Sequence, residues 1–129
     1  MSTLKTSNIQ DTSGNNNSTP EEINQGRAKA WVNFDGTLAS IGNGRDNYNV
    51  TSVTDNGTGD YTVNFTNAFA NANYAVTGTS GGQSNTSNGA VYQLDQSTAK
   101  TTSACRIAIL TSSGSLVDAP QIGMAFFGD

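Results

Sequence analysis

An all-β fold, an antiparallel sandwich or jelly-roll-like domain behind an extended N-terminal arm, is what this sequence predicts. Three observations carry that expectation. Short segments of alternating polarity recur from residue 27 onward, clusters of Gly, Asn, Asp and Ser separate them at short intervals, and apolar residues at helical spacing are almost absent. With 129 residues, the chain has the length of one domain, for which about 100 to 150 residues is usual.

Residues 1–26 differ from the rest. "STLKTSNIQ" alternates weakly, with Leu4 and Ile9 as its large apolar groups, and "DTSGNNNSTP" is a run of turn formers. "STPEEINQG" then carries a helix start: Ser18 or Thr19 as cap, Pro20 at the first helical position, Glu21 and Glu22 in the first turn, and Gly26 as a stop. Fewer than about 12 residues make a marginal helix without tertiary support, so residues 1–26 read as an arm ordered by what it docks on. Residues 27–129 read as the β-domain.

The first strand is "AKAWVNF" and the second "DNYNVTSV", Asp46 to Val53, with "DGTLASIGNGR" joining them. Asp55-Asn56-Gly57 with Gly59 supplies positive-φ positions for a hairpin into "YTVNF". There Tyr61, Val63 and Phe65 point to one face and Thr62, Asn64 and Thr66 to the other, the pattern of a sheet wet on one side. "NYAVTGT" puts Tyr74 and Val76 on one face, and "GAVYQL" follows the loop "SGGQSNTSNG". "ACRIAILT" is the most apolar run and is expected in the middle of a sheet; "SSGS" turns the chain, and "QIGMAFF" closes it. That makes about seven strands.

Composition narrows the function. Apolar residues other than glycine are 34%, and charged residues are 12%, against about 25% charged in an average domain. A net charge of −4 with five Phe, four Tyr and one Trp argues for folding and against charge-driven disorder. So little apolar mass per chain predicts support from sister copies, a homo-oligomer. Lys5, Arg27, Lys29, Arg45, Lys100 and Arg106 are scattered and form no basic stripe, which excludes nucleic acid as a partner. No window is apolar for long enough to predict membrane insertion, and the opening "MSTLKTSNIQDTSGNNN" predicts no secretory leader. Triplets such as Asn49-Val50-Thr51 and Asn64-Phe65-Thr66 are chance matches to a glycosylation signal in an Asn- and Thr-rich chain. Cys105 is expected to be a buried thiol, with an intermolecular bridge as the alternative.

Reactive constellations are sparse. The absence of histidine removes Ser-His-Asp and Cys-His catalysis and the commonest zinc ligand. A paired-carboxylate site remains possible in principle, but the only Glu residues, Glu21 and Glu22, suit a helix N-terminus, and the Asp residues mostly sit beside Gly or Asn as turn residues do, at Asp35, Asp55 and Asp60. "DNGTGD" lacks the twelve-residue calcium pattern with its terminal Glu, and "GNGRD" lacks the Lys-Ser/Thr of a phosphate loop. No catalytic, cofactor-binding or metal residue is assigned, and no cofactor. Trp31, Tyr48, Tyr61, Tyr74 and Tyr92, interleaved with asparagines, offer rings that stack on sugars; each lies on an alternating segment, so the core is their expected place.

"MSTLKTSNIQDTSG", "GRAKAWVNF", "TDNGTGDYTVNF", "NANYAV" and "VDAPQIGMAFFG", in that order, resemble a module of tailed bacteriophages, found in tail-fibre and other virion surface proteins of phages of aquatic bacteria. The resemblance implies a non-enzymatic virion structural component, usually oligomeric, and carries over no site residue. A short fibre, knob or capsid-decorating part on the particle exterior is expected, made in the host cytoplasm and held to another virion protein by residues 1–26. A trimer is expected by analogy with fibres and knobs. The alternative is a carbohydrate-binding module that recognises a bacterial surface polysaccharide during host attachment.

Overall fold

Alternation in "AWVNF" buries Ala30, Val32 and Phe34 and leaves Trp31 and Asn33 outside, giving strand β1 (Ala30–Phe34) one apolar face. The same logic builds β4 (Asp60–Phe65), where Tyr61, Val63 and Phe65 are buried, and β8 (Gln121–Phe127), where Ile122, Met124 and Phe126 are. The computed structural model describes residues 1–82, 90–93 and 100–129, with backbone alone for 90–93. The remaining strands are β2 (Asp46–Tyr48), β3 (Val50–Gly57), β5 (Ala75–Gly81), β6 (Ala90–Gln93) and β7 (Ala104–Leu110).

They form two four-stranded antiparallel sheets, β2-β1-β8-β5 and β3-β4-β7-β6, stacked as a sandwich. The sandwich expected from the alternation is what the chain adopts. Strand β7 lies inside its sheet between β4 and β6, the place its apolar sequence predicted. Of "GAVYQL", Gly89 and Leu94 lie outside the described residues, as does most of the loop before it.

One strand is read differently. Asp46 to Val53 was expected as a single element, but it breaks at Asn49, whose φ of 57° is left-handed. Asparagine tolerates that conformation better than other non-glycine residues because its short amide bonds locally. Here Asn49 Nδ2 donates to the carbonyls of Lys29 and Asn67, both at 3.1 Å, while its Oδ1 accepts from the Asn67 backbone N–H at 2.7 Å. The corner carries the chain from the first sheet, where β2 pairs with β1, into the second, where β3 pairs with β4. Among the described residues there are eight strands, where about seven were expected. The hairpin turn between β3 and β4 takes positive φ at Gly57 and Gly59, as the Asp-Asn-Gly cluster implied.

Between the sheets the core is continuous and aromatic at one end. Phe65 is its hub, with ring centroids 4.9 Å from Phe69, 5.7 Å from Tyr74 and 5.0 Å from Phe126. Such edge-on pairs each add about 0.5–1.5 kcal/mol beyond burial. At the other end Phe34 packs edge-on against Tyr61 at 5.2 Å. The Tyr61 hydroxyl donates to Asp118 Oδ1 at 2.6 Å, with the Gly36 carbonyl at 3.0 Å, so the buried phenol is satisfied. Asp118 Oδ1 also accepts from Gly59 N–H at 2.7 Å, tying the hairpin turn to the chain entering β8. A Cβ on Gly36 would lie 2.3 Å from that hydroxyl, so only glycine fits there.

Before β1, helix α1 (Pro20–Gly26) ends at the expected glycine. Thr19 is its cap: the Thr19 hydroxyl accepts from Glu22 N–H at 3.2 Å and Glu22 Oε2 accepts from Thr19 N–H at 2.7 Å. Upstream, Ile9 and Ser18 exchange backbone hydrogen bonds around the Asp11 turn. Strand β1 begins beside the end of β8: Lys29 N–H donates to Phe126 O at 2.8 Å, and Ala30 and Phe126 are ladder partners.

Candidate functional site

The residues that the sequence singled out separate into three groups. Carboxylates come first. Asp35 Oδ1 accepts from the Thr37 backbone and hydroxyl, and Asp35 Oδ2 meets Arg45 at 2.7 Å. The Thr37 hydroxyl and backbone bonds, with Arg45 adding less, hold this partly buried carboxyl below the usual range. Asp60 takes Arg106 Nε at 2.9 Å and its Nη2 closer still, and the arginine holds its pKa low. Asp55 Oδ1 accepts from Gly57 N–H at 2.8 Å, and Glu21 accepts from Gln25 at 2.9 Å. Asp35, Asp55 and Asp60 are thus spent on turns and ion pairs, and Glu21 on a helix-surface bond. Among the described residues no three metal-ligating side chains converge.

Cys105 is buried in β7, and burial pushes its thiol up to about 11, so it stays protonated and inert at neutral pH. The buried thiol expected from the sequence is what the structure holds.

The rings divide. Tyr61 and Tyr74 are 0% and 2% exposed and belong to the core, as expected. Burial raises both phenols well above their ordinary range, and Asp118 adds to the effect on Tyr61. The Tyr74 hydroxyl lies 2.9 Å from the Thr101 carbonyl and 3.0 Å from that of Ala104. The side chain of Tyr92 is outside the described residues. Trp31 and Tyr48 overturn the core expectation: they are 36% and 53% exposed, on the outer face of the first sheet, and they are direct ladder partners. Trp31 is out of phase with Ala30, Val32 and Phe34, so burying that trio turns it outward; the Asn49 corner does the same for Tyr48 by freeing its parity from that of Val50.

Beside Trp31 the outer face is low. Ala125 is its ladder partner on β8, and Gly123 lies across from Asn33. Thr77 and Thr79 on β5 pair with Ala125 and Gly123 and form the far wall. The result is an open groove of about 430 Å³ whose lining includes Trp31, Asn33, Thr77, Thr79, Gly123 and Ala125, none of them ionisable. An adjoining hollow of about 200 Å³ shares Asn33, Thr79 and Gly123 and extends toward Gln121.

A second concavity, about 550 Å³, lies in the N-terminal segment, where Leu4, Ile9, Pro20 and Ile23 make an apolar lining with Lys5 and Arg27 beside it.

No protein-family model matches this chain, and neither the curated proteins nor the solved structures give a match.

Proposed function

We propose that the chain is a non-enzymatic structural module on the exterior of a tailed-bacteriophage particle, a short fibre, knob or decoration component of tail or capsid. It is held to another virion protein through residues 1–26, with the β-domain of residues 27–129 facing outward. Its copies associate, as a trimer by analogy with fibres and knobs.

The ordered set of stretches from "MSTLKTSNIQDTSG" to "VDAPQIGMAFFG" supports the particle assignment by resemblance. The observation that carries the docking role is in the N-terminal segment. Leu4, Ile9 and Ile23 are 84%, 52% and 43% exposed, and with Pro20 they line the groove of that segment. A contiguous apolar surface left in water marks an interaction site more often than a scatter of single residues does. Glu22, Asp35, Asp55 and Asp60 support a scaffold role, being tied into a cap, turns or an ion pair.

Deleting residues 1–26 tests this reading. Expected is a protein that keeps the β-type far-UV circular dichroism of the parent and is missing from purified particles; normal incorporation of the truncated chain would overturn the docking role. Static light scattering of the intact chain at micromolar concentration checks the oligomer, and a stable single-chain mass would remove it from the proposal.

A further inference from the structure

We infer that the outer face of the sheet β2-β1-β8-β5 is a binding site for a neutral oligosaccharide, with Trp31 as the stacking platform. This goes beyond the particle-surface reading and stands without it, since it rests on the groove alone.

Sugar rings present two kinds of surface: a face of C–H groups and a rim of hydroxyls. A site for them needs a flat apolar plate and uncharged donors and acceptors around it, in a shallow concavity. Trp31 supplies the plate, and Tyr48, directly across the ladder, continues it about 5 Å away. Asn33, Thr77 and Thr79 supply an amide and two hydroxyls, all exposed, and none makes a side-chain hydrogen bond among the described residues. Those groups reach the ligand at no cost in broken protein bonds. Gly123 and Ala125 keep the floor low enough for a ring to settle against the plate. At about 430 Å³ the groove falls within the 300–1,000 Å³ usual for small-molecule sites, and the adjoining hollow gives a second ring room.

Size and charge choose the occupant. The groove spans three strands and three residues along each, roughly 10 Å by 7 Å from strand spacing and rise. A stable protein partner covers about 800 Å² per side, roughly ten times that footprint. An anionic ligand finds no cation in the lining, and the chain's net charge is −4. An uncharged chain of pyranose units matches both constraints.

The sequence contains one tryptophan, so intrinsic fluorescence excited at the indole band reports this site without background. The probe is a panel of short neutral oligosaccharides built on glucose, galactose, mannose and N-acetylglucosamine, with sialylated and sulfated counterparts, titrated into the intact chain and also presented as an array. Expected is a saturable change in Trp31 emission with at least one neutral ligand and none with its charged counterpart. Trp31→Ala should lose array binding at least about tenfold, and Tyr48→Ala, whose ring lies beside the groove and not in its lining, about threefold. Gly123→Val is the decisive variant. A Cβ there meets only the Thr79 hydroxyl within 4 Å, at 3.7 Å, so the backbone position has room for a branch point, and the valine methyls are added to the floor of the groove. It should keep the parent's thermal midpoint and lose sugar binding at least tenfold.

Array binding that survives both Trp31→Ala and Gly123→Val, or no response to any neutral sugar, overturns the inference. So does a fall in scattering mass for Trp31→Ala, which would make the face a contact between copies. Particle incorporation is unaffected by either substitution under this inference, so loss of sugar binding and failure of the docking role are read separately.

Discussion

The two outer faces of the sandwich are made by the same device, strands with one wet side, yet they are finished differently. On the second sheet the polar groups satisfy each other. Thr51 and Thr66 hydroxyls meet at 3.0 Å, Asn64 Nδ2 donates to Ser52 Oγ at 3.1 Å and Thr54 Oγ1 at 3.0 Å, Asn56 Nδ2 donates to Thr62 Oγ1 at 2.9 Å, and Asp60 holds Arg106. On the first sheet Asn33, Thr77 and Thr79 are left open beside two exposed rings and a floor of Gly123 and Ala125. A closed polar ladder has little left to offer a ligand. An open one beside an aromatic plate does, which is why the inferred sugar site lies on the first sheet and not on the second.

The largest expected effect breaks both faces together. Phe65 touches three other aromatic rings, so Phe65→Ala should cost about 3–5 kcal/mol, read as a drop in the denaturant midpoint, and should abolish any sugar response through loss of the fold. Asp118→Ala leaves the Tyr61 hydroxyl and Gly59 N–H without their shared acceptor and should cost about 1–3 kcal/mol in the same measurement.

Asn49→Ala separates the faces. It keeps the strands and removes the amide bonds of the corner while forcing alanine into a left-handed conformation, at about 1–2 kcal/mol for the backbone alone. Tyr48 should lose its fixed place next to Trp31, so the groove should weaken more than the Thr and Asn ladder of the second sheet; amide hydrogen exchange along β2 and β4 checks this.

A smaller effect sharpens the second face. Asp60 has its folded pKa depressed below the usual 3.8. Its contribution is therefore complete above the unfolded value and is lost as pH falls through the folded one. Asp60→Asn should cost about 0.2–1 kcal/mol at neutral pH, and the gap between parent and variant should narrow as pH falls below 3.8 in acid-unfolding curves. Least of all, Thr51→Ala on the exposed second face should stay within about 0.5 kcal/mol and leave sugar binding unchanged.

Much of the fold could be read from the residues because period-2 alternation is a direct record of burial. Val32 with Phe34 and the Tyr61-Val63-Phe65 trio each announce a strand and its inner face, while the unbroken run Ile107-Ala108-Ile109 announces a strand placed inside its sheet. The groove was written there too, though less plainly. If Val32 and Phe34 face inward, Trp31 and Asn33 face outward, and the hydrophobicity of tryptophan obscured that parity. Tyr48 was harder, because it and Val50 share a phase in one continuous strand and lose it only when Asn49 turns left-handed. A hint lay in Val50 and Val53, both buried but three residues apart, a spacing that a regular strand cannot bury and that the ladder accommodates by a register shift. The convergence of Gly123, Ala125, Thr77 and Thr79 depends on which strands neighbour β8, and local pattern does not encode strand order.

The hydrogen bond from Lys29 to Phe126, and the pairing of Ala30 with Phe126, bring the entrance and the exit of the sandwich together. A polypeptide that comes in at Ala30 leaves about 5 Å from where it arrived. Such a unit can be spliced into a surface loop of an unrelated carrier without spreading the loop's anchors. The sandwich is thus a cassette in its geometry, able to travel between host proteins as a guest and to bring its exposed sheet face along unchanged.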